Sequence, residues 1–284
     1  MQILAATDFS TRSQRALRRA GLLAQERGAE LALVHVVDDD HPPDLVALET
    51  REAERILSEQ IRAMGELRGV RCRPLVVAGD PFDGIVRTAM STKADMVVMG
   101  AHRKQLLRDI FVGTTIERVI RTGSSPVLMV NREVEEGYRT VLAAVDISEP
   151  SVHAIRTSKN LGLLSSAQLV LVHAFLPIAK GKMSLAGVSG DSIDEYVASE
   201  RSRAAKEMAA FLDDRAMGDY KQSVIVKEGA PLTVIVSAVQ RLQPDVLVVG
   251  THGRSGIAKA LLGSVTEAVL RSLDVDILAV PPVR

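Results

Sequence analysis

Apolar and polar positions fall into two rhythms along this chain. Short, almost wholly apolar runs such as Asp95-Met-Val-Val-Met-Gly100 and Asp245-Val-Leu-Val-Val-Gly250 read as strands buried on both faces. Between them lie longer stretches with apolar residues about every 3.6 positions. In 191–217 these are Ile193, Val197, Ala204, Met208, Phe211 and Leu212, which predicts an amphipathic helix. The pattern predicts strands near 2–7, 31–37, 73–78, 95–100 and 126–130, with helices near 11–27, 43–67, 82–92 and 115–122. It then repeats, with strands near 140–145, 168–174, 222–227, 245–249 and 277–280 and helices near 149–164, 191–217, 232–242 and 265–273. Alternating strands and helices imply a parallel sheet covered on both faces, with right-handed crossovers.

The repetition extends to residue identity. Ile3-Leu-Ala-Ala-Thr-Asp-Phe-Ser10 matches Val141-Leu-Ala-Ala-Val-Asp-Ile-Ser148, and the match runs without a gap to His35 and His173. Of those 33 positions 14 are identical, where chance would give roughly two or three. Further on, Gly79-Asp-Pro81 pairs with Gly229-Ala-Pro231, and Gly113-Thr114 with Gly263-Ser264. The offset grows from 138 to 150, so the second half carries 12 extra residues, which the reading places in a loop at 176–190. Two homologous domains are expected, 1–134 and 138–284, joined by the charged stretch Asn131 to Gly137. Each is expected to be a doubly wound five-stranded sheet of order 3-2-1-4-5. Their short last strands would cover each other's edges by antiparallel pairing.

Such a sheet binds ligands beyond the carboxyl ends of its strands, where the winding reverses between strands 1 and 4. Strand 1 ends at Asp8 or Asp146, and strand 4 at Gly100 or Gly250. The second of these opens a Gly-rich loop, Gly250 to Glu267, that runs into a helix. Glycine permits close backbone approach, and a helix start offers unpaired N–H groups and partial positive charge. The arrangement predicts a phosphate cradle facing an acidic residue. Ser264-Val-Thr-Glu267 and Thr114-x-x-Glu117 both read as capping boxes.

Composition narrows the function. Lys and Arg balance Asp and Glu at 35 each, and aromatics are 3% with no Trp, so neither a basic field nor stacking platforms recruit nucleic acid. The single Cys72 excludes an intrachain disulfide framework and a Cys-based zinc site. With no signal peptide evident and no apolar run near the ~20 residues that span a bilayer, the reading is a cytoplasmic protein with no membrane insertion.

At the Gly-rich loop the chain resembles the universal stress protein family in its tandem two-domain form. The family pattern is Gly, two residues, Gly, nine residues, then Gly followed by Ser or Thr, and Gly250, Gly253, Gly263 and Ser264 match it. The resemblance implies an adenine-nucleotide-binding α/β domain that pairs with a partner domain through its last strand. It places Asp146 at the adenine end, with Ala144, Val145, Ala174 and Val249 lining that pocket. Gly250, His252 and Gly253 would approach ribose and phosphates, and Gly263, Ser264, Val265 and Thr266 would hold phosphates. The implied ligand is ATP with Mg²⁺, and the implied role a stress-response or signalling switch governed by nucleotide occupancy.

The first half departs from the pattern, because Arg103 stands where the second glycine belongs. A left-handed backbone there would cost an arginine roughly 1 kcal/mol or more. Binding in the first half is therefore expected to be impaired or altered, although Asp8, Gly100, Arg103, Gly113, Thr114 and Thr115 keep the outline of a weaker site. The alternative is that Arg103 folds back and pairs its guanidinium with phosphate. His35 and His173 read as hydrogen-bonded, partly buried imidazoles, and Asp38-Asp-Asp-His41 as a solvated acidic turn. No GxSxG, Walker A or HExxH motif is present and no catalytic residue is assigned. The competing readings are a tandem scaffold that binds no ATP and whose first domain takes another small molecule or a protein, or a slow ATP hydrolase. Partners beyond the nucleotide are an intrachain domain pair or a homodimer, and a protein not identified by the sequence.

Overall fold

The computed structural model describes residues 1–101, 114–134, 136–215, 222–252 and 262–283. The first half runs β1 (Gln2–Ala6), α1 (Thr11–Arg27), β2 (Glu30–Val37), α2 (Pro43–Ala63), β3 (Cys72–Ala78), α3 (Pro81–Ser91), β4 (Met96–Gly100), α4 (Thr115–Thr122) and β5 (Val127–Val130). The second runs β6 (Thr140–Ala144), α5 (Glu149–Asn160), β7 (Gln168–Phe175), α6 (Lys180–Leu185), α7 (Gly190–Asp214), β8 (Gln222–Glu228), α8 (Pro231–Leu242), β9 (Val246–Gly250), α9 (Ser264–Ser272) and β10 (Asp276–Val280).

The strands form one ten-stranded sheet of order β3-β2-β1-β4-β5-β10-β9-β6-β7-β8. Each half has the expected order 3-2-1-4-5, and all neighbours within a half are parallel. The halves meet at β5 and β10, which pair antiparallel with Leu128 opposite Leu278. The apolar runs explain this burial. Successive side chains point to opposite faces, so Ile3 and Ala5 pack beneath α1 while Leu4 and Ala6 pack on the α3 and α4 side.

A polar knot seals the junction. Asp276 is fully buried, and its Oδ1 accepts from the backbone N–H groups of Asn131 (2.8 Å) and Arg132 (3.1 Å). Arg19 Nε lies 3.5 Å from Oδ2, and the Arg19 guanidinium covers the Tyr138 ring at 4.1 Å. The connecting stretch is thereby laced to both halves.

Two expectations need correction. Residues 176–190 are not a structureless loop: they include the short helix α6 and the start of α7. The amide of Ala179 donates to the Tyr196 hydroxyl (3.2 Å), and Lys180 pairs with Glu228 at 2.6 Å. The expected helix at 43–67 also breaks, ending at Ala63 before a 3₁₀ turn at Gly65–Leu67. There the carbonyl of Glu66 presses on Gly21 of α1, where an added Cβ would sit only 2.6 Å away.

Candidate functional site

β1 and β6 each deliver an aspartate, and the next residue turns the chain out of the sheet. Phe9 (φ 60°) and Ile147 (φ 57°) both adopt the left-handed conformation. For a β-branched residue such as Ile147 this costs about 1–2 kcal/mol, and strain of this kind gathers at functional sites. Side-chain bonds hold the turn. Ser148 and Ser151 donate to Asp146 Oδ1, the latter at 2.5 Å, and the Asp146 amide donates back to Ser151 Oγ at 3.2 Å. In the first half the Ser10 amide donates to Asp8 Oδ1 and the Phe9 amide to Thr7 Oγ1, both at 3.0 Å. Burial pushes the Asp8 carboxyl up, but hydrogen bonds from Ser10 and Ser13 outweigh it, leaving the group below its usual 3.8.

Facing each aspartate is the glycine that ends the fourth strand of its half. An added Cβ on Gly100 would meet the Arg12 carbonyl oxygen at 2.6 Å, so only glycine fits. The same test at Gly250 finds neighbours at 3.3 Å (His252 O) and 3.4 Å (Pro150 O). The second half therefore leaves more room between the end of β9 and the start of α5 than the first leaves between β4 and α1.

Between Asp146 and Gly250 lies a cleft of about 330 Å³, within the ~300–1,000 Å³ of small-molecule sites. Ala144, Val145, Asp146, Ala174, Val249, Gly250, His252, Gly263, Ser264, Val265 and Thr266 all line it. Gly253 lies outside the described residues. Sequence reasoning missed Ser151, Val172, Pro231, Val234 and Ile235, and assigned His173 no ligand role, yet all of these line the cleft. Ser151 was findable, since Ser13 and Ser151 keep the same distance from their aspartates in both repeats.

The first half holds a cleft of about 560 Å³, the larger of the two, lined by Asp8, Gly100, Thr114 and Thr115 together with Arg12, Ser13, His35 and Met99. Arg103 and Gly113 lie outside the described residues. The halves also trade volume. Val36 on β2 faces Gly84 on α3, where an added Cβ would be 2.9 Å from both Val36 methyls. The equivalent positions in the second half are Ala174 and Val234.

The helix starts differ more. At α4 the capping box is formed: Thr114 Oγ1 accepts from the Glu117 amide (3.4 Å), and Glu117 Oε2 accepts from the Thr114 amide (3.0 Å). At α9 the expected box is absent. Gly263 is the N-cap and has no side chain to offer, and Glu267 turns to Arg271 at 2.9 Å. Thr266 Oγ1 donates to the Gly250 carbonyl (2.8 Å), tying the helix to the end of β9. The amides of Ser264, Val265 and Thr266 have no partner among the described residues. His252 Nδ1 lies 3.0 Å from Thr251 Oγ1, while its Nε2 is buried without a hydrogen-bond partner. A buried, unpaired polar atom costs about 1–3 kcal/mol, so this end of the cleft is short of hydrogen-bonding partners.

The strand-2 histidines behave as expected. Nδ1 of His35 lies 2.9 Å from the Thr7 carbonyl, and Nδ1 of His173 lies 2.7 Å from the Val145 carbonyl. A carbonyl only accepts, so in both rings Nδ1 carries the proton. Asp38, Asp39 and Asp40 are exposed and near one another, and His41 turns away to Glu49 (3.4 Å). Among the described residues, no helix is long and apolar enough to cross a membrane.

Comparison with known proteins agrees with the internal repeat. The model of the universal stress protein family matches residues 1–131 and again 137–281. Universal stress protein E of Escherichia coli K12 is 26% identical over an alignment of 296 positions, covering 99% of this chain and 93% of that protein. Universal stress protein Mb2028c of Mycobacterium bovis is 24% identical, covering 97% and 95%. Among solved structures, a universal stress protein from Archaeoglobus fulgidus superposes with a TM-score of 0.72 at 17% identity, covering 99% of this chain and 98% of that one. At that identity the likeness speaks to the fold, which it shares from end to end. With both halves matched, the chain belongs to the universal stress protein family of stress-response proteins.

Proposed function

We propose that the second-half cleft binds an adenine nucleotide, ATP carried with Mg²⁺, and that occupancy acts as a switch on conformation or partner binding. The observation that carries this reading is the open start of α9. Three amides without a partner among the described residues, at Ser264, Val265 and Thr266, line the cleft beside the unpaired Nε2 of His252. A polyphosphate supplies acceptors for such amides and negative charge for the helix dipole. At the other end Asp146 offers a carboxylate to the donors of a base or ribose, beside the apolar Ala144, Val145 and Ala174. The first-half cleft is a weaker site for the same chemistry. A switch requires that the ligand bind one state better than the other, so the nucleotide must favour one arrangement of the α9 start.

Isothermal titration with ATP and Mg²⁺ tests the reading. The expected result is one tight equivalent per chain, weakened at least about tenfold in Asp146→Ala, roughly the loss of one charged hydrogen bond. Gly253→Arg, which copies the first-half loop, is expected to weaken it too. A wild type that binds neither ATP nor cAMP, the nucleotide another universal stress protein holds in its crystal structure, would leave the scaffold reading in its place.

A further inference from the structure

The two helix starts are joined by an unbroken series of contacts. Arg271 Nε lies 2.8 Å from Glu117 Oε1, and Nη2 lies 3.4 Å from Oε2. The same Nη2 lies 2.9 Å from Glu267 Oε1. Glu117 is fully buried and closes the capping box on Thr114, which lines the first cleft. Glu267 follows directly on Ser264, Val265 and Thr266, which line the second. One guanidinium thus holds a carboxylate from each half.

The repeat shows what the alternative would be. At the offset of 150, Arg121 is the counterpart of Arg271 and Glu267 the counterpart of Glu117. Yet Arg121 makes no ion pair with Glu267 among the described residues, and its Nε is buried without a hydrogen-bond partner. Of the two equivalent cross-junction pairs, only Arg271–Glu117 is made. Where it is made, the helix start is capped from within, and where it is not, the helix start is open.

We propose that these two pairs are alternatives, so that the clefts are negatively coupled and the chain takes one polyphosphate at a time tightly. This rests on the nucleotide reading above. A phosphate at the α9 start is compatible with Glu267 turned out onto Arg271 and with Glu117 retained in its capping box. A phosphate at the α4 start competes with the Glu117 carboxylate for the Thr114 amide. Displacing that buried carboxylate requires Arg271 to release it, and the exchange leaves Arg121 to take Glu267. Each ligand thus prefers the state in which the other helix start is capped, which is the differential contact that coupling requires.

The test is ATP–Mg²⁺ titration of the full chain, with Asp8→Ala and Asp146→Ala assigning each binding event to its cleft. The wild type is expected to bind one equivalent tightly at the Asp146-dependent site and a second about tenfold or more weaker at the Asp8-dependent site, within the usual range of coupling. Arg271→Gln is expected to bring the two affinities within about threefold of each other, while Arg271→Lys, which keeps the charge, restores part of the gap. Glu117→Gln, approached from the other half, is expected to act in the same direction as Arg271→Gln. Thermal melts establish that each variant is folded. Two equal sites in the wild type overturn the coupling and leave the nucleotide reading intact, as does an unchanged affinity ratio in folded Arg271→Gln. No binding at either site in the wild type removes the nucleotide reading and the coupling with it.

Discussion

The Tyr138 hydroxyl donates to Asp276 Oδ2 at 2.7 Å, joining the end of the connecting stretch to the strand on which the two halves meet. Both side chains are buried. Tyr138→Phe leaves that oxygen short of a donor, and the expected loss is about 1–3 kcal/mol of folding stability, read by urea denaturation. Burial raises the Asp276 carboxyl above its usual 3.8, against hydrogen bonds from Arg132, Tyr138 and Asn131 that lower it. A carboxyl raised in the folded chain keeps a proton that the unfolded chain has released. Its contribution to stability therefore falls as pH rises from 3.8 through the folded value. Asp276→Asn, which does not titrate, is expected to flatten that part of the pH dependence of the urea midpoint.

The equivalent glycines Gly100 and Gly250 are expected to respond differently to the same substitution. Gly100→Ala drives a methyl against the Arg12 carbonyl, 2.6 Å away and part of the backbone. Overpacking of this kind costs about 1–3 kcal/mol, which thermal melting would resolve. Gly250→Ala meets its nearest neighbours at 3.3 and 3.4 Å, so a smaller loss of stability is expected. Equal losses at the two positions would contradict the greater room between β9 and α5.

Gly84 and Val36 offer a test of the traded volume. Gly84→Ala alone places its methyl 2.9 Å from both Val36 methyls and should destabilise by about 1–3 kcal/mol. Adding Val36→Ala, the residue found at the matching position of the second half, is expected to recover most of that loss. A double-mutant cycle with no interaction energy would refute the pairing.

The insertion of the second half is expected to be the first point of tryptic attack. Helix α6 buries none of its residues, and Leu176, Ile178 and Leu185 are exposed around it. Cleavage after Lys180 or Lys182 should precede cuts within the sheet. Saturating ATP is expected to slow it, because the insertion leaves β7 at the cleft end of the sheet. An unchanged rate would show that the segment does not close over the nucleotide.

The layered fold was readable because strands buried on both faces must be apolar throughout. Val246 to Val249 could be nothing else in a chain that alternates strands with amphipathic helices. The strand order 3-2-1-4-5 came from the doubly wound class; the repeat required only that both halves share it, as they do. Three features escaped for definite reasons. Ile147 is left-handed against its own preference, because hydrogen bonds around Asp146 impose the turn. The Ser264 capping box satisfies every local rule, but Arg271 draws Glu267 away from the helix start. Helix α6 is too short for its periodicity to register, and what orders it is contact with Tyr196 and Glu228, distant in sequence.

The antiparallel seam between β5 and β10 makes one molecule out of what would otherwise be two associating subunits. Dilution cannot separate its halves, so the assembly owes nothing to concentration, unlike a dimer of single domains. In such a dimer every substitution would also appear twice, once on each side of the axis. Here Arg103 can replace a glycine without touching Gly253, and Asp276 can face Pro126 at the matching position. Covalent linkage frees the two clefts to differ while keeping them on one sheet.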